Sequence, residues 1–126
     1  STTLYLAYTA TIDRVTGLLS VAIPAFVPAN AITAPDGATH VRFVAGGAAI
    51  DFENETFELV TSQSADISVS AAQADAIALA NQLTANSTSP LFLILGVEFY
   101  QQVNGVNYAL KGGKANALSL VRILGV

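Results

Sequence analysis

The residue best suited to acid–base chemistry is His40, which is the only histidine of the chain. A histidine acts as a general base when a serine nucleophile and an orienting carboxylate converge on it. The chain has no Gly-x-Ser-x-Gly segment to present such a serine, and His40 stands between Thr39 and Val41 at the start of an apolar alternation. We therefore expect a histidine at the edge of a strand, and we predict no catalytic residue and no enzymatic activity.

The acidic residues concentrate in one short segment that contains Asp51, Glu53, Asn54, Glu55 and Glu58. Calcium takes roughly six to eight oxygen ligands, which acidic turns can supply. The spacing differs from that of a calcium-binding loop, and it cannot place two carboxylates across a cleft as a glycosidase requires. The segment is more typical of a solvated hairpin tip, so we predict no metal site and no cofactor. A weak calcium site at the surface is the open alternative.

Two glycine pairs, in Gly46-Gly47 and in the segment Lys111–Lys114, raise the question of phosphate binding. Neither has the length of a phosphate-binding loop that leads into a helix, so turns are the simpler interpretation. The chain also contains no cysteine, which excludes a thiolate nucleophile, a thiolate metal ligand and a disulfide.

Three tyrosines are candidates for contact with another molecule. Tyr5 and Tyr8 are expected on opposite faces of a first strand, and Tyr100 points away from the core face of a predicted hairpin. Exposed tyrosines stack on sugars or anchor protein interfaces, although half-buried positions under loops would suit these residues equally. We take Tyr5, Tyr8 and Tyr100 as the candidate interaction surface.

The composition favours a protein that associates with other proteins. Of its 126 residues, 52% are hydrophobic and 11% are charged, and the mean hydropathy is +0.54. The longest strongly apolar run, Leu91–Val97, is far shorter than the roughly 20 residues of a membrane-spanning helix. A net charge of −4 with five scattered basic residues offers no stripe for nucleic-acid phosphates. Short apolar segments then indicate strands covered on both faces, or a surface hidden by neighbouring subunits.

The elements that must position these residues are short strands separated by turns. Pro24–Gly37 holds three prolines and is predicted as a loop, and Gly46-Gly47 as a turn or bulge. After that turn we expect Ile50 and Phe52 to point inward. Strands are predicted over Leu4–Ile12, Leu18–Ile23, Thr39–Ala45, Ala48–Phe52, Thr56–Ser62, Leu91–Gln102 and Asn116–Leu124.

The stretch Ser70–Leu83 is ambiguous. Its alanines and the possible capping box of Ser70 with Gln73 favour a helix. The alternation of Ile77 and Leu79 favours a strand, and we predict a strand over Ala76–Leu83 because the rest of the chain is rich in strands.

The clearest local prediction is a hairpin at Asn104-Gly105, which is a strong signal for a two-residue turn. It would pair Val103 with Val106, Phe99 with Leu110 and Glu98 with Lys111. The side chains expected to share the core face are Val97, Phe99, Val103, Val106, Tyr108 and Leu110.

Seven or eight such strands predict an all-β fold, an antiparallel β-sandwich formed by one domain over residues 1–126. An up-and-down β-barrel is the alternative. The strand count and the C-terminal hairpin resemble an immunoglobulin or fibronectin type III sandwich, without the immunoglobulin cysteines and tryptophan.

More narrowly, four segments resemble uncharacterised proteins from Bacteroidota, in which they belong to the C-terminal half of a longer chain. This resemblance implies that the present chain is a processed or trimmed piece, and it transfers no activity to any residue. The segments are 11–14 (Thr-Ile-Asp-Arg), 37–40 (Gly-Ala-Thr-His), 50–53 (Ile-Asp-Phe-Glu) and 95–105.

These features favour a non-catalytic structural or self-assembling module, at the cell surface or outside the cell, that associates through strand edges and apolar surface. Its partner would be itself, as a homo-oligomer or filament, or another protein. Thr2–Ile12 could add to the sheet edge of a neighbour or simply form an edge strand of its own domain. The alternative is a carbohydrate- or peptide-binding module that uses loops and tyrosines, and an enzyme is the weakest hypothesis.

Overall fold

The computed structural model describes residues 8–32, 36–109 and 117–125, which form nine strands and one short helix. The strands are β1 (Thr9–Asp13), β2 (Leu18–Ile23), β3 (His40–Asp51), β4 (Thr56–Gln63), β5 (Ile67–Ser68), β6 (Ile77–Gln82), β7 (Leu91–Val103), β8 (Val106–Ala109) and β9 (Ala117–Leu124), and the helix is α1 (Pro28–Ala31).

The strands form two antiparallel sheets. The small sheet has the order β1-β2-β6, and the large sheet has the order β4-β3-β7 with β8 and β9 on the far side of β7 and the two-residue β5 beside the start of β3. The sheets do not close into a barrel, so the predicted sandwich is confirmed and the barrel alternative is wrong. The first, second and sixth strands lie in one sheet, and the third, fourth and seventh lie in the other.

The core lies between the two sheets and is made almost entirely of aliphatic side chains and phenylalanine. Each of the larger ones contributes roughly 1.5–3 kcal/mol through its burial. The ring of Phe26, which precedes α1, meets the ring of Phe43 edge-on at 5.9 Å. The largest buried apolar side chains are Leu19, Val21, Ile23, Val41, Phe43, Leu91, Leu93, Val97 and Phe99.

The structure corrects the prediction for Gly46-Gly47, because β3 continues through this pair without a turn or bulge. Side chains alternate strictly along an uninterrupted strand, so the odd-numbered positions point inward along all of β3. Ile50 therefore lies on the outer face, and Phe52 lies in the following turn, 68% exposed. The prediction that both point inward is wrong because it assumed an interruption.

Gly47 lies where the two sheets approach each other closely. A Cβ atom at this position would lie 3.2 Å from Cβ of Asn81 and 3.3 Å from Cδ2 of Leu19, both of which belong to the small sheet. The neighbouring Gly46 faces outward, where an added Cβ would lie 3.9 Å from Cβ of Ile94, an ordinary contact distance. The pair that looks like a turn in the sequence thus marks a close approach between sheets.

The predicted hairpin register is confirmed, since Val103 pairs with Val106 and the register holds back to Tyr100. Its expected pairs with Leu110 and Lys111 lie outside the described residues. The expected burial is only partly right. Val97 and Phe99 are buried, whereas the hairpin tip side chains Val103, Val106 and Tyr108 are 46%, 51% and 54% exposed. β7 has 13 residues and the facing strands have five or six, so the tip extends beyond the small sheet.

The remaining predictions are largely confirmed. The ambiguous stretch contains the strand β6, as predicted, and β2, β4, β7 and β9 follow their expected bounds closely. The predicted loop Pro24–Gly37 contains α1, which begins with Pro28 at a position where proline fits a helix. The loop Lys111–Lys114 and the first part of the predicted N-terminal strand lie outside the described residues. The described part of the chain contains no helix with the length and apolar character that crossing a bilayer requires.

Candidate functional site

The structure does not bring the candidate tyrosines together. Tyr5 lies outside the described residues. Tyr8 precedes β1 on the small sheet and is 44% exposed, whereas Tyr100 lies on the outer face of the large sheet and is half-buried. Tyr8 therefore adjoins the small sheet and Tyr100 belongs to the large sheet, and the surface of Tyr5, Tyr8 and Tyr100 stays a prediction.

Tyr100 belongs to a polar cluster at one end of the large sheet. The guanidinium carbon of Arg42 lies 4.8 Å from the ring centre of Tyr100, and Nη2 of Arg42 lies 2.8 Å from Oδ1 of Asp66. Burial acts to lower the pKa of Arg42, but the hydrogen bond to Asp66 and the surrounding negative charge raise this pKa overall. One face of the Tyr100 ring is thus covered by a permanent cation and is not free to stack on a sugar.

Burial also raises the pKa of the Tyr100 hydroxyl, and the carboxylate of Glu98 adds to this shift. The hydroxyl accepts a hydrogen bond from Nη1 of Arg42 at 3.3 Å. A phenol with a raised pKa stays protonated at neutral pH, so Tyr100 acts here as a packing and hydrogen-bonding group.

His40 opens β3 and shares a hydrogen bond of 2.8 Å between its Nδ1 and Oγ1 of Thr39. The same threonine oxygen accepts a hydrogen bond of 2.7 Å from the backbone N–H of Gln102. This arrangement ties the start of β3 to β7, which fits the expected strand-edge histidine.

The acidic segment forms the β3–β4 turn, as predicted. Asp51 accepts hydrogen bonds from the backbone N–H groups of Glu53 and Asn54 and from Nδ2 of Asn54, at 2.8–3.1 Å. The bonds from Asn54 hold the pKa of Asp51 below its ordinary value. Glu58 faces a different direction and accepts bonds from N and Oγ1 of Thr84. Within the described ranges, no three His, Cys, Asp or Glu side chains form a group that could hold a metal ion.

A shallow cleft of about 400 Å³ lies between this turn and the loop that joins β6 to β7. It combines carboxylates, hydroxyls and one strongly exposed aromatic ring, that of Phe57, which is 74% exposed. The polar side chains that line the cleft are those of Asp51, Thr56, Glu58, Thr84, Ser87 and Ser89.

The most extensive surface feature is the outer face of the large sheet. The register of the sheet places Leu59, Ala48, Phe92 and Ile123 in one row across four strands. Leu59 and Ile123 are 55% and 53% exposed. We define the outer apolar face by these side chains and the neighbouring ones that share their orientation: Val44, Gly46, Ala48, Ile50, Phe57, Leu59, Phe92, Ile94 and Ile123.

The outer apolar face carries no charge. Among the described residues, the nearest charged side chains that share its orientation are Arg42 and Glu98, which face each other across β3 and β7 at one end. For side chains of this size and exposure, the face offers roughly 500 Å² of apolar surface, near the upper end for the largest patch of a monomer. Its sequence signal is the weak alternation in β3 and β7, which indicates strands that are apolar on both faces.

One structurally important residue gives no signal in the sequence. Arg14, in the turn after β1, donates to the backbone carbonyls of Ser87 and Ser89 at 2.7 Å and to those of Leu124 and Gly125 at 3.1 and 3.0 Å. It thereby joins the first turn to the β6–β7 loop and to the end of β9. We call this set of contacts the Arg14 clamp.

Comparison with known proteins gives no relative from which a function could be carried over. No protein-family model matches the chain, and no curated protein and no solved structure matches it either. The resemblance to proteins from Bacteroidota therefore stays a prediction, and the function has to be argued from the surface of the molecule.

Proposed function

We propose that this protein is a non-catalytic structural module that associates with further copies of itself, and that the outer apolar face is its main contact surface. The observation that supports this proposal is the exposure of large apolar side chains on a face without charge, with Phe57 at 74%, Leu59 at 55% and Ile123 at 53%. A module of this kind would act at the cell surface or outside the cell, as the composition suggests.

The size and charge of the face support a second copy as the occupant. A specific interface needs roughly 800 Å² from each partner, with an apolar centre and a polar rim. The outer apolar face would supply the centre, and the cluster of Arg42, Asp66 and Tyr100 would lie at the rim. Because the same uncharged face is present on every copy, two such faces meet without repulsion despite the net charge of −4.

Light scattering across a dilution series tests this proposal directly. The scattering mass should exceed the 13.0 kDa of one chain and fall on dilution, whereas a constant 13.0 kDa at all concentrations would contradict association. The variant Ile123→Lys introduces a charge on the outer apolar face and should weaken association about tenfold or more. Val15→Lys is the matched control, because Val15 is 68% exposed in the turn after β1 and should leave association unchanged.

A second candidate function is the binding of carbohydrate in the shallow cleft beside Phe57. Carboxylates and hydroxyls that surround an exposed ring can hydrogen-bond a sugar while the ring stacks on it. Screening of a glycan array would test this function, with Glu58→Gln as the variant that should reduce retention. A glycan that binds the natural protein and the Glu58→Gln variant equally would contradict a role for the cleft. A carbohydrate site built from the candidate tyrosines has less support than the cleft, since Tyr8 adjoins the small sheet and Tyr100 lies on the large sheet.

A further inference from the structure

Among the described strands, β4 lies at the edge of the large sheet, and only one of its two sides is paired. It pairs with β3 over Thr56–Gln63 in an unbroken register, and no other described strand pairs with its second edge. It contains no proline, no lysine and no bulge, which are three of the means by which proteins block such an edge, although Glu58 lies on its inner side opposite Ala49. Its one charged side chain, Glu58, accepts hydrogen bonds from Thr84. Among the described residues, the backbone groups on its second edge pair with no other strand.

The other edges of the described sheets are shorter or less regular. β1 has five residues and ends in Asp13, β8 has four, and β6 has six. β9 is as long as β4, but its pairing with β7 contains an irregularity beside Leu93 and Ile94, and it carries Arg122. β4 is thus the longest regular edge in the described part of the chain.

We propose that β4 pairs antiparallel with β4 of a second copy around a two-fold axis, so that the two large sheets become one continuous sheet. This inference rests on the proposed function and adds a second contact, edge to edge, to the contact between outer apolar faces. A two-fold axis brings the same strand of both copies together, which is the commonest symmetry of protein dimers. The outer apolar faces of the two copies then form one surface of double width.

Charge and side-chain size select the register of this pair. A register centred on Glu58 would place two carboxylates directly opposite each other, which is destabilising. A register centred on Leu59 instead places Leu59 against its own copy, Phe57 against Thr61, and Glu58 against Val60. It keeps outward side chains opposite outward ones and gives an apolar pair at the axis, so we infer this register.

The expected contact is small. Eight residues of strand extend over about 27 Å, and with the exposed side chains of Phe57 and Leu59 they would bury on the order of 500 Å² from each copy. Interfaces at this lower end are weak, so the pair should form reversibly and depend on concentration. A disulfide between the two copies can therefore trap the pair while it is formed.

Single-cysteine variants test the register, because the natural chain has no cysteine. Directly opposite residues have Cα atoms about 4.5–5.5 Å apart, within the span of a disulfide. Oxidation should therefore convert Leu59→Cys to a covalent dimer on a non-reducing gel. Thr61→Cys is the matched control, since its two copies would be about 13 Å apart along the strands and should cross-link at least about fivefold less.

The outcomes separate this inference from the proposed function. Equal cross-linking of both variants, or more with Thr61→Cys, would overturn the register. No cross-link in either variant, with light scattering that still shows an oligomer, would overturn the β4 pairing and leave self-association standing. A monomer at every concentration would overturn both. In the Ile123→Lys background the Leu59→Cys dimer should persist, because β9 lies on the opposite side of the large sheet from β4.

Discussion

The two faces of the large sheet are built from the same kinds of residues and differ in how far the described residues cover them. On the inner face, Phe43 and Phe99 are 0% and 1% exposed beneath the small sheet. On the outer face, Phe57 and Leu59 are 74% and 55% exposed. A sheet that is apolar on both faces is typical of strands covered on both sides, and this comparison is the reason for the proposed self-association.

The same contrast appears in two neighbouring glycines. Gly47 points inward, where a Cβ would collide with Asn81 and Leu19, whereas Gly46 points outward, where a Cβ would meet Ile94 at an ordinary distance. A side chain at Gly47 would be tightly packed between the sheets. At Gly46, the contacts within one chain leave room for a side chain. The two positions therefore distinguish the tightly packed inner face from the more open outer face.

The largest expected effect comes from replacing a phenylalanine by alanine on each face of the large sheet and comparing the two losses of stability. Phe43→Ala should lower the free energy of unfolding by about 3–5 kcal/mol, because it leaves a cavity in the core. Phe57→Ala should lower it by less than about 1 kcal/mol in the dilute monomer, because the ring is already exposed. Urea titrations of both variants measure the two values. A large loss for Phe57→Ala at high dilution would mean that the outer face is already covered within one chain.

The glycine pair gives the next largest effect. Gly47→Ala should destabilise the protein by about 1–3 kcal/mol, because its Cβ forces the two sheets apart. Gly46→Ala should change stability by at most about 1 kcal/mol, in the stabilising direction, since glycine is unfavourable inside a strand. Thermal unfolding of both variants is the measurement, and equal losses would contradict the assignment of the two glycines to opposite faces.

Asn81 is the one polar side chain buried in the described core, at 0% exposure, and neither polar atom of its amide has a hydrogen-bond partner among the described residues. An unsatisfied buried amide costs about 1–3 kcal/mol. Asn81→Leu keeps the branched shape of the side chain and removes both unsatisfied polar atoms, so it should raise the free energy of unfolding by about 1–2 kcal/mol. A loss of stability in chemical denaturation would show that the amide has a partner, such as a buried water.

The smallest effect concerns Asp51, at the end of β3 where the turn to β4 begins. The pKa of Asp51 is lowered in the folded protein by the hydrogen bonds from Asn54, so Asp51 stabilises the fold above its unfolded-state pKa. This contribution should disappear as the pH falls through the folded-state pKa, below about pH 4. Asp51→Asn should weaken that dependence in urea titrations at pH 6 and pH 3. Glu53→Gln removes a charge from the same turn as a control, and an equal effect of both variants would contradict the prediction.

The elements that sequence analysis predicts correctly are those set by local chemistry. The register of the hairpin follows from the turn at Asn104-Gly105, and β6 follows from the alternation of Ile77 and Leu79. The exposure of the hairpin tip was not predictable, because it depends on the length of strands in the facing sheet. The continuity of β3 was missed for a similar reason, since the role of Gly47 lies in a contact with Asn81, 34 positions away in the sequence numbering.

The candidate site was less predictable than the fold. Tyrosines stand out in a sequence as interface residues, but Tyr100 is occupied by Arg42 within its own chain. The outer apolar face is assembled from four strands, and alternation alone cannot tell a face covered by a second sheet from one left open. The composition indicates that apolar surface remains on the outside, but it does not show where on the molecule this surface lies.

The Arg14 clamp has a consequence for the dynamics of the last strand. Its bonds to Leu124 and Gly125 join residues 110 and 111 positions apart, so they close nearly the whole chain into a loop. A strand at the edge of a sheet can open on its own, with low protection of its amides from hydrogen exchange. Here, opening the end of β9 also breaks bonds to the first turn. The amides of this strand should therefore exchange with solvent through cooperative opening of the sandwich, and such distant contacts should form late in folding.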